Sequence, residues 1–169
     1  EVKGTFGSFG SAGPDWVSLD LGSGNDTVLL EGGAGNWWSQ SNISLGDGND
    51  KLTIKGDNLY YLGIYGGSGD KQIDLSAATN GGNNFTISVG NGKNNILGSA
   101  GRDVVYAGDG VNTINSGDGD NYVAAGSGDN TINAGDGNNQ IYTGDGNNTI
   151  NLGAGNNYIS TGSGSDIIT

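Results

Sequence analysis

The chain has no cysteine, no histidine and no methionine, and one proline, Pro14, among its 169 residues. Without cysteine no disulfide can hold it, and without cysteine and histidine zinc sites of the usual kind are excluded. It opens on Glu1, as a processed chain or an excised fragment does, and no apolar stretch is long enough for a membrane span or a signal peptide. Basic residues are scarce: six Lys and Arg stand against 18 Asp and Glu, a net charge of −12. Such a surface repels phosphate backbones and attracts cations, so nucleic acid is not an expected partner. Hydrophobic residues make up 33% of a chain with 36 glycines, too lean for an ordinary globular core. A disordered chain has similar composition. Disorder requires no register, however, and the apolar residues here keep a strict one.

That register is clearest from Gly108 onward, in GDGVNTINS, GDGDNYVAA, GSGDNTINA, GDGNNQIYT, GDGNNTINL, GAGNNYIST and GSGSDIIT. Glycine recurs at 108, 117, 126, 135, 144, 153 and 162, with another two places on, Asn or Asp at the fifth place and Ile or Val at the seventh. A fixed period of this kind predicts a solenoid. The glycines permit a tight turn, and the lone β-branched residue between polar neighbours makes a short strand with one side chain inward. One such phrase cannot bury its single Ile, whereas stacked phrases can.

Upstream, the turn phrase persists at wider spacing: LGSGNDTVL from Leu21, LGDGNDKLT from Leu45, GGSGDKQID from Gly66 and VGNGKNNIL from Val89. A second glycine series interleaves with it, in GGAGN from Gly32, KGDN from Lys55 and NGGNN from Asn80. Two turns per coil account for both series. The prediction is an all-β, parallel two-sheet β-roll with coils of about 21–24 residues first and 18-residue coils later, changing near residue 85. Residues 1–15 form an irregular segment or cap, 16–84 the longer coils and 85–169 the nonapeptide roll, with Trp16 as a lid over the open core.

Residues 18 apart then lie above one another at the strand spacing of about 4.8 Å. Ile96, Ile114, Ile132, Ile150 and Ile168 stack inward from one sheet and Val105, Val123, Ile141 and Ile159 from the other, with Ala107, Ala125 and Ala134 keeping the coil narrow. Outward, one sheet presents Thr113, Thr131 and Thr149 beside Asn115, Asn133 and Asn151, and the other a zigzag of Tyr106, Tyr122, Tyr142 and Tyr158. Thr and Tyr suit any solvated strand. They also make a flat, regular surface.

The phrase resembles the RTX repeat of secreted bacterial proteins, G-G-x-G-x-D-x-U-x with U a large apolar residue, matched by Gly108, Gly110, Asn112 and Ile114 and their counterparts. The resemblance is close over residues 85–169 and loose over 21–84. It implies a parallel β-roll, export from the cell and calcium held between stacked turns. The family's Asp is replaced by Asn at 94, 112, 121, 130, 139, 148 and 157 and kept at Asp103 and Asp166. An uncharged amide is a weaker calcium ligand, and stacked Asn side chains can instead bond to one another. Asp118 and Asp136 should stack and repel unless a cation lies between them, whereas Asp109 and Asp145 are separated by Ser127. The charge survives in the first half. Asp26 and Asp50 occupy the ligand place, with Asp47 nearby and turn carbonyls from Gly22, Gly24, Gly46 and Gly48, so calcium is expected there first. Each Asp could equally cap its own turn.

No catalytic set stands out. Nucleophilic catalysis without His or Cys needs a Ser–Lys arrangement, and Lys3, Lys51, Lys55, Lys71 and Lys93 show no such pairing. Acids recur in most of the turns, which favours structure over a single active site. The leading expectation is an extracellular structural or adhesive module, on the bacterial surface or released from it, that associates with copies of itself; its uncapped last coil either continues into a longer parent protein or receives the start of another molecule head to tail. The alternative is ligand binding on a flat face: ice on the Thr and Asn columns, or surface glycans on the Tyr zigzag with Trp37 and Trp38.

Overall fold

The computed structural model describes residues 18–31, 41–57, 61–79 and 84–169. The expectations for residues 1–15, Trp16, Trp37, Trp38 and the turns from Gly32 and Asn80 lie outside them. Among the described residues there is no helix, and sixteen short strands form two parallel sheets of eight. One sheet holds, in spatial order, β1 (Ser18–Asp20), β3 (Ser41–Gly46), β5 (Leu62–Gly66), β7 (Asn84–Val89), β9 (Arg102–Ala107), β11 (Tyr122–Ala125), β13 (Gln140–Thr143) and β15 (Tyr158–Ser160). The other holds β2 (Thr27–Glu31), β4 (Asp50–Asp57), β6 (Lys71–Thr79), β8 (Asn95–Leu97), β10 (Thr113–Gly117), β12 (Thr131–Ala134), β14 (Thr149–Leu152) and β16 (Ile167–Ile168). Successive strands alternate between the sheets. The chain is therefore a β-solenoid of two strands per coil.

Pairing fixes the coil lengths. Thr27 lies beside Lys51, Asp50 beside Lys71 and Gln72 beside Asn95, and hydrogen bonds between these coils span 24, 21 and 23 residues. From the pairing of β7 with β9 onward the span is 18. The buried side chains change with it. First-half strands bury two large residues each, Val28 and Leu30, Leu52 and Ile54, Ile43 and Leu45, whereas later ones bury one large and one small, Val123 with Ala125 and Ile132 with Ala134.

Ile96, Ile114, Ile132 and Ile150 form one fully buried column and Val105, Val123 and Ile141 the other. Each such side chain contributes about 1.5–3 kcal/mol by leaving water. Ile168 holds its place beside Ile150, on the last of the described strands, and is 50% exposed there.

Candidate cation site in the stacked turns

The connections that precede the even-numbered strands are glycine turns, and these turns lie on one another. Their backbones touch. A Cβ on Gly46 (φ +71°) would stand 1.5 Å from the carbonyl oxygen of Gly22, and one on Gly48 (φ +132°) 1.6 Å from that of Gly24. Only glycine allows both the left-handed backbone and that approach. Gly22, Gly24, Asp26, Gly46, Asp47, Gly48 and Asp50 are thus brought together in two adjoining turns.

The carboxylates divide into a rim and an inner column. On the rim, Asp47 Oδ1 accepts from the Ser68 N–H at 2.7 Å and its hydroxyl at 2.9 Å. Those two bonds, with the charge of Lys71 nearby, hold the Asp47 carboxyl below its ordinary range. Asp109 accepts from the N–H of Ser127 at 2.8 Å and Asp145 from that of Ser163 at 2.7 Å. In the opposite stack Asp118 accepts from Asp136 at 3.1 Å and Asp136 from Ala154 at 2.7 Å. Asp118 and Asp136 do stack. Each spends an oxygen on the next coil's backbone.

The inner column of the first stack runs Asp26, Asp50, Lys71, Asn94, Asn112, Asn130, Asn148 and Asp166, following the strand register. Its bonds run in the reverse direction, from the N–H of one coil to the Oδ1 of the following coil, as from Asn112 to Asn130 at 3.1 Å. The buried amides also donate into their own turns. Asn130 Nδ2 lies 2.9 Å from both the Gly126 and Gly128 oxygens and 3.1 Å from Asn148 Oδ1. In the opposite stack Asn121 reaches Gly117 and Gly119 at 3.1 and 3.0 Å, and Asn139 and Asn157 repeat the pattern. An amide placed this way points donors at the carbonyls that a cation would use.

Acids in the inner columns cannot donate. Asp50 Oδ1 accepts the N–H of Asp26 at 2.9 Å, and its Oδ2 lies 3.2 Å from Lys71 Nζ, an ion pair without hydrogen-bond alignment, with both side chains at 0% exposure. The Lys71 ammonium also donates to the Gly48 oxygen at 2.7 Å and the Ser68 oxygen at 2.8 Å. Asp26 Oδ2 is buried and has no hydrogen-bond partner. Asp103 heads the amide column of the second stack, above Phe85. Burial there pushes its carboxyl up to about 6, against the opposing pull of bonds from Ser99 and the Phe85 N–H. Asp166 accepts the N–H and Nδ2 of Asn148, both at 2.9 Å, which lowers its carboxyl. No three acids converge on one point among the described residues.

The outer columns also form. Thr113, Thr131 and Thr149 are in register, as are Asn115, Asn133 and Asn151, and Asn151 Nδ2 donates to Asn133 Oδ1 at 2.7 Å. Tyr106, Tyr122, Tyr142 and Tyr158 stack with centroids 5.5, 5.4 and 5.7 Å apart and planes tilted by 39–50°.

These turns, each closing on an apolar strand residue, have a counterpart among known families: residues 88–123, 116–150 and 133–168 match the model of the RTX calcium-binding nonapeptide repeat. The second half of the chain is an RTX repeat region. No curated protein and no solved structure matches the chain. Lys71 is the site residue that sequence reading passed over. In GGSGDKQID it stands where the RTX phrase has Asp, and that alignment was the available signal.

Proposed function

We propose that the chain is an extracellular structural β-roll, a rigid module that associates with copies of itself and takes calcium at the Asp26 turn rather than along its whole length. The observation that carries this reading is the inner columns: among the described residues nearly every turn is closed by the protein's own donors, as suits a rigid rod. Uniform repetition without converging acids favours a structural role over catalysis.

Calcium is assigned to the first half because the Asp26 carboxylate presents a buried, unpartnered oxygen beside the Gly22 and Gly24 turn, the oxygen-only chemistry that calcium requires. When bound, calcium would neutralise that carboxylate and tie it to the turn. In the Asn turns the amide donors already serve the carbonyls, which argues against metal there.

Self-association is proposed from the repeat itself: every coil pairs with the next by the same parallel ladder, and a coil of one copy can pair with a coil of another in that way, giving a heterologous contact that builds an adhesive filament or surface layer. The Tyr rings tilt against one another instead of sharing a plane, and Asn133 and Asn151 bond to each other. Both features favour self-association over the glycan and ice readings.

Sedimentation and electron microscopy across a concentration series test the assembly. Elongated oligomers that disappear in an Ile167→Lys/Ile168→Lys variant are expected; a parent chain that stays monomeric throughout would refute self-association.

A further inference from the structure

Of the two neighbouring acids in the first inner column, Asp26 leaves an oxygen unpartnered while Asp50 meets a cation. The difference is Lys71. Where the column carries Asn, an Nδ2 donor faces the turn carbonyls, but Asp50 Oδ2 is an acceptor facing acceptors, a repulsive arrangement in a buried site. Lys71 enters from the next coil and places Nζ 2.7 Å from the Gly48 oxygen, 2.8 Å from the Ser68 oxygen and 3.2 Å from Asp50 Oδ2. Its stem lies over Gly66, where a Cβ would stand 2.7 Å from Lys71 Cε. The side chain is fully buried although its end is charged, which is rare for lysine unless its charge is paired.

We propose that the Lys71 ammonium is the resident cation of this turn pair: it fills an oxygen cage made by Asp50 Oδ2 and the Gly48 and Ser68 carbonyls. It makes these two coils independent of metal. It also masks a site for a hard divalent cation, which opens when the lysine is shortened. Three oxygens, one of them charged, then border the space left by the stem and ammonium, and water can complete the shell of six to eight that calcium takes. A single residue thus decides whether this part of the roll responds to calcium. The inference is separate from calcium at Asp26, and the test keeps the two apart.

The test uses the full chain in an Asp26→Asn background, so that calcium at that turn contributes nothing. Thermal melts in chelator and in calcium chloride, with calcium titration calorimetry, compare this background with Lys71→Ala and with Lys71→Ala/Asp50→Asn. The background should melt at the same temperature in both buffers. Lys71→Ala should melt about 10 °C lower in chelator, because an uncompensated carboxylate is left buried, recover most of the loss in calcium and bind one additional ion. The double variant should melt above Lys71→Ala in chelator and ignore calcium. A Lys71→Ala chain that gains nothing from calcium, including one unfolded in both buffers, would overturn the proposal. So would an equal calcium response in the double variant.

Discussion

Asn130 Oδ1 accepts two hydrogen bonds from Asn112, from Nδ2 at 2.9 Å and from the backbone N–H at 3.1 Å, so one amide oxygen serves both the side chain and the main chain of the coil before it. Asn130 Nδ2 meanwhile closes its own turn. The residue ties three neighbouring coils.

Replacing Asn130 with Ala strands buried donors and acceptors in two coils, at about 1–3 kcal/mol each, so a loss of at least about 3 kcal/mol is expected in denaturant unfolding. Asn130→Asp keeps the acceptor and removes the donor. That variant should be weakened in chelator and regain stability in calcium, since its turn then carries an acceptor-only side chain. A loss untouched by calcium would contradict the role given to the amide donors.

Burial differs along a single column. Ile132 is 0% exposed and Ile168 50%. Ile132→Ala should cost about 2–5 kcal/mol, and Ile168→Ala less than about 1 kcal/mol in monomer unfolding. Urea midpoints at low protein concentration check both values.

Asp103 gives the roll a pH dependence of unusual sign. Its folded carboxyl is raised from the ordinary 3.8 to about 6, so between these values the folded chain holds a proton that the unfolded chain has lost. This group's stabilisation is complete below about pH 3.8 and is lost as pH rises to about 6, by about 2–3 kcal/mol in total. Asp47 and Asp166, whose carboxyls are lowered, act in the opposite sense: their stabilisation is present above the ordinary value and lost as pH falls through their folded values. The difference between the parent and Asp103→Asn isolates the Asp103 contribution. Unfolding free energies at pH 4 and pH 7 should show the parent losing stability relative to the variant as pH rises.

Much of the fold was legible because the solenoid writes its geometry as spacing. The interval between Ile114 and Ile132 is the coil length, and the pair of glycines is the turn. What spacing does not encode is how side chains are used across coils. The phrase puts Lys71 beside Asp50, but that its ammonium turns to the Gly48 and Ser68 carbonyls is visible only in the folded chain. An Asn in the ligand place could turn either its oxygen or its nitrogen to the turn. The inward carbonyls decide the matter, and they are a property of the folded backbone. The rim acids Asp109, Asp118, Asp136 and Asp145 attracted attention by their charge, yet each is tied to a backbone N–H in the next coil.

The account's central claim is that internal donors, Lys71 and the inner amides, do for most turns what a metal would otherwise do. Calcium content measured together with far-ultraviolet circular dichroism, before and after exhaustive chelation, tests it most directly. The account predicts a β-rich spectrum unchanged by chelation and about one calcium ion per chain, lost in Asp26→Asn. Several ions per chain, with collapse of the β signal when they are removed, would contradict it.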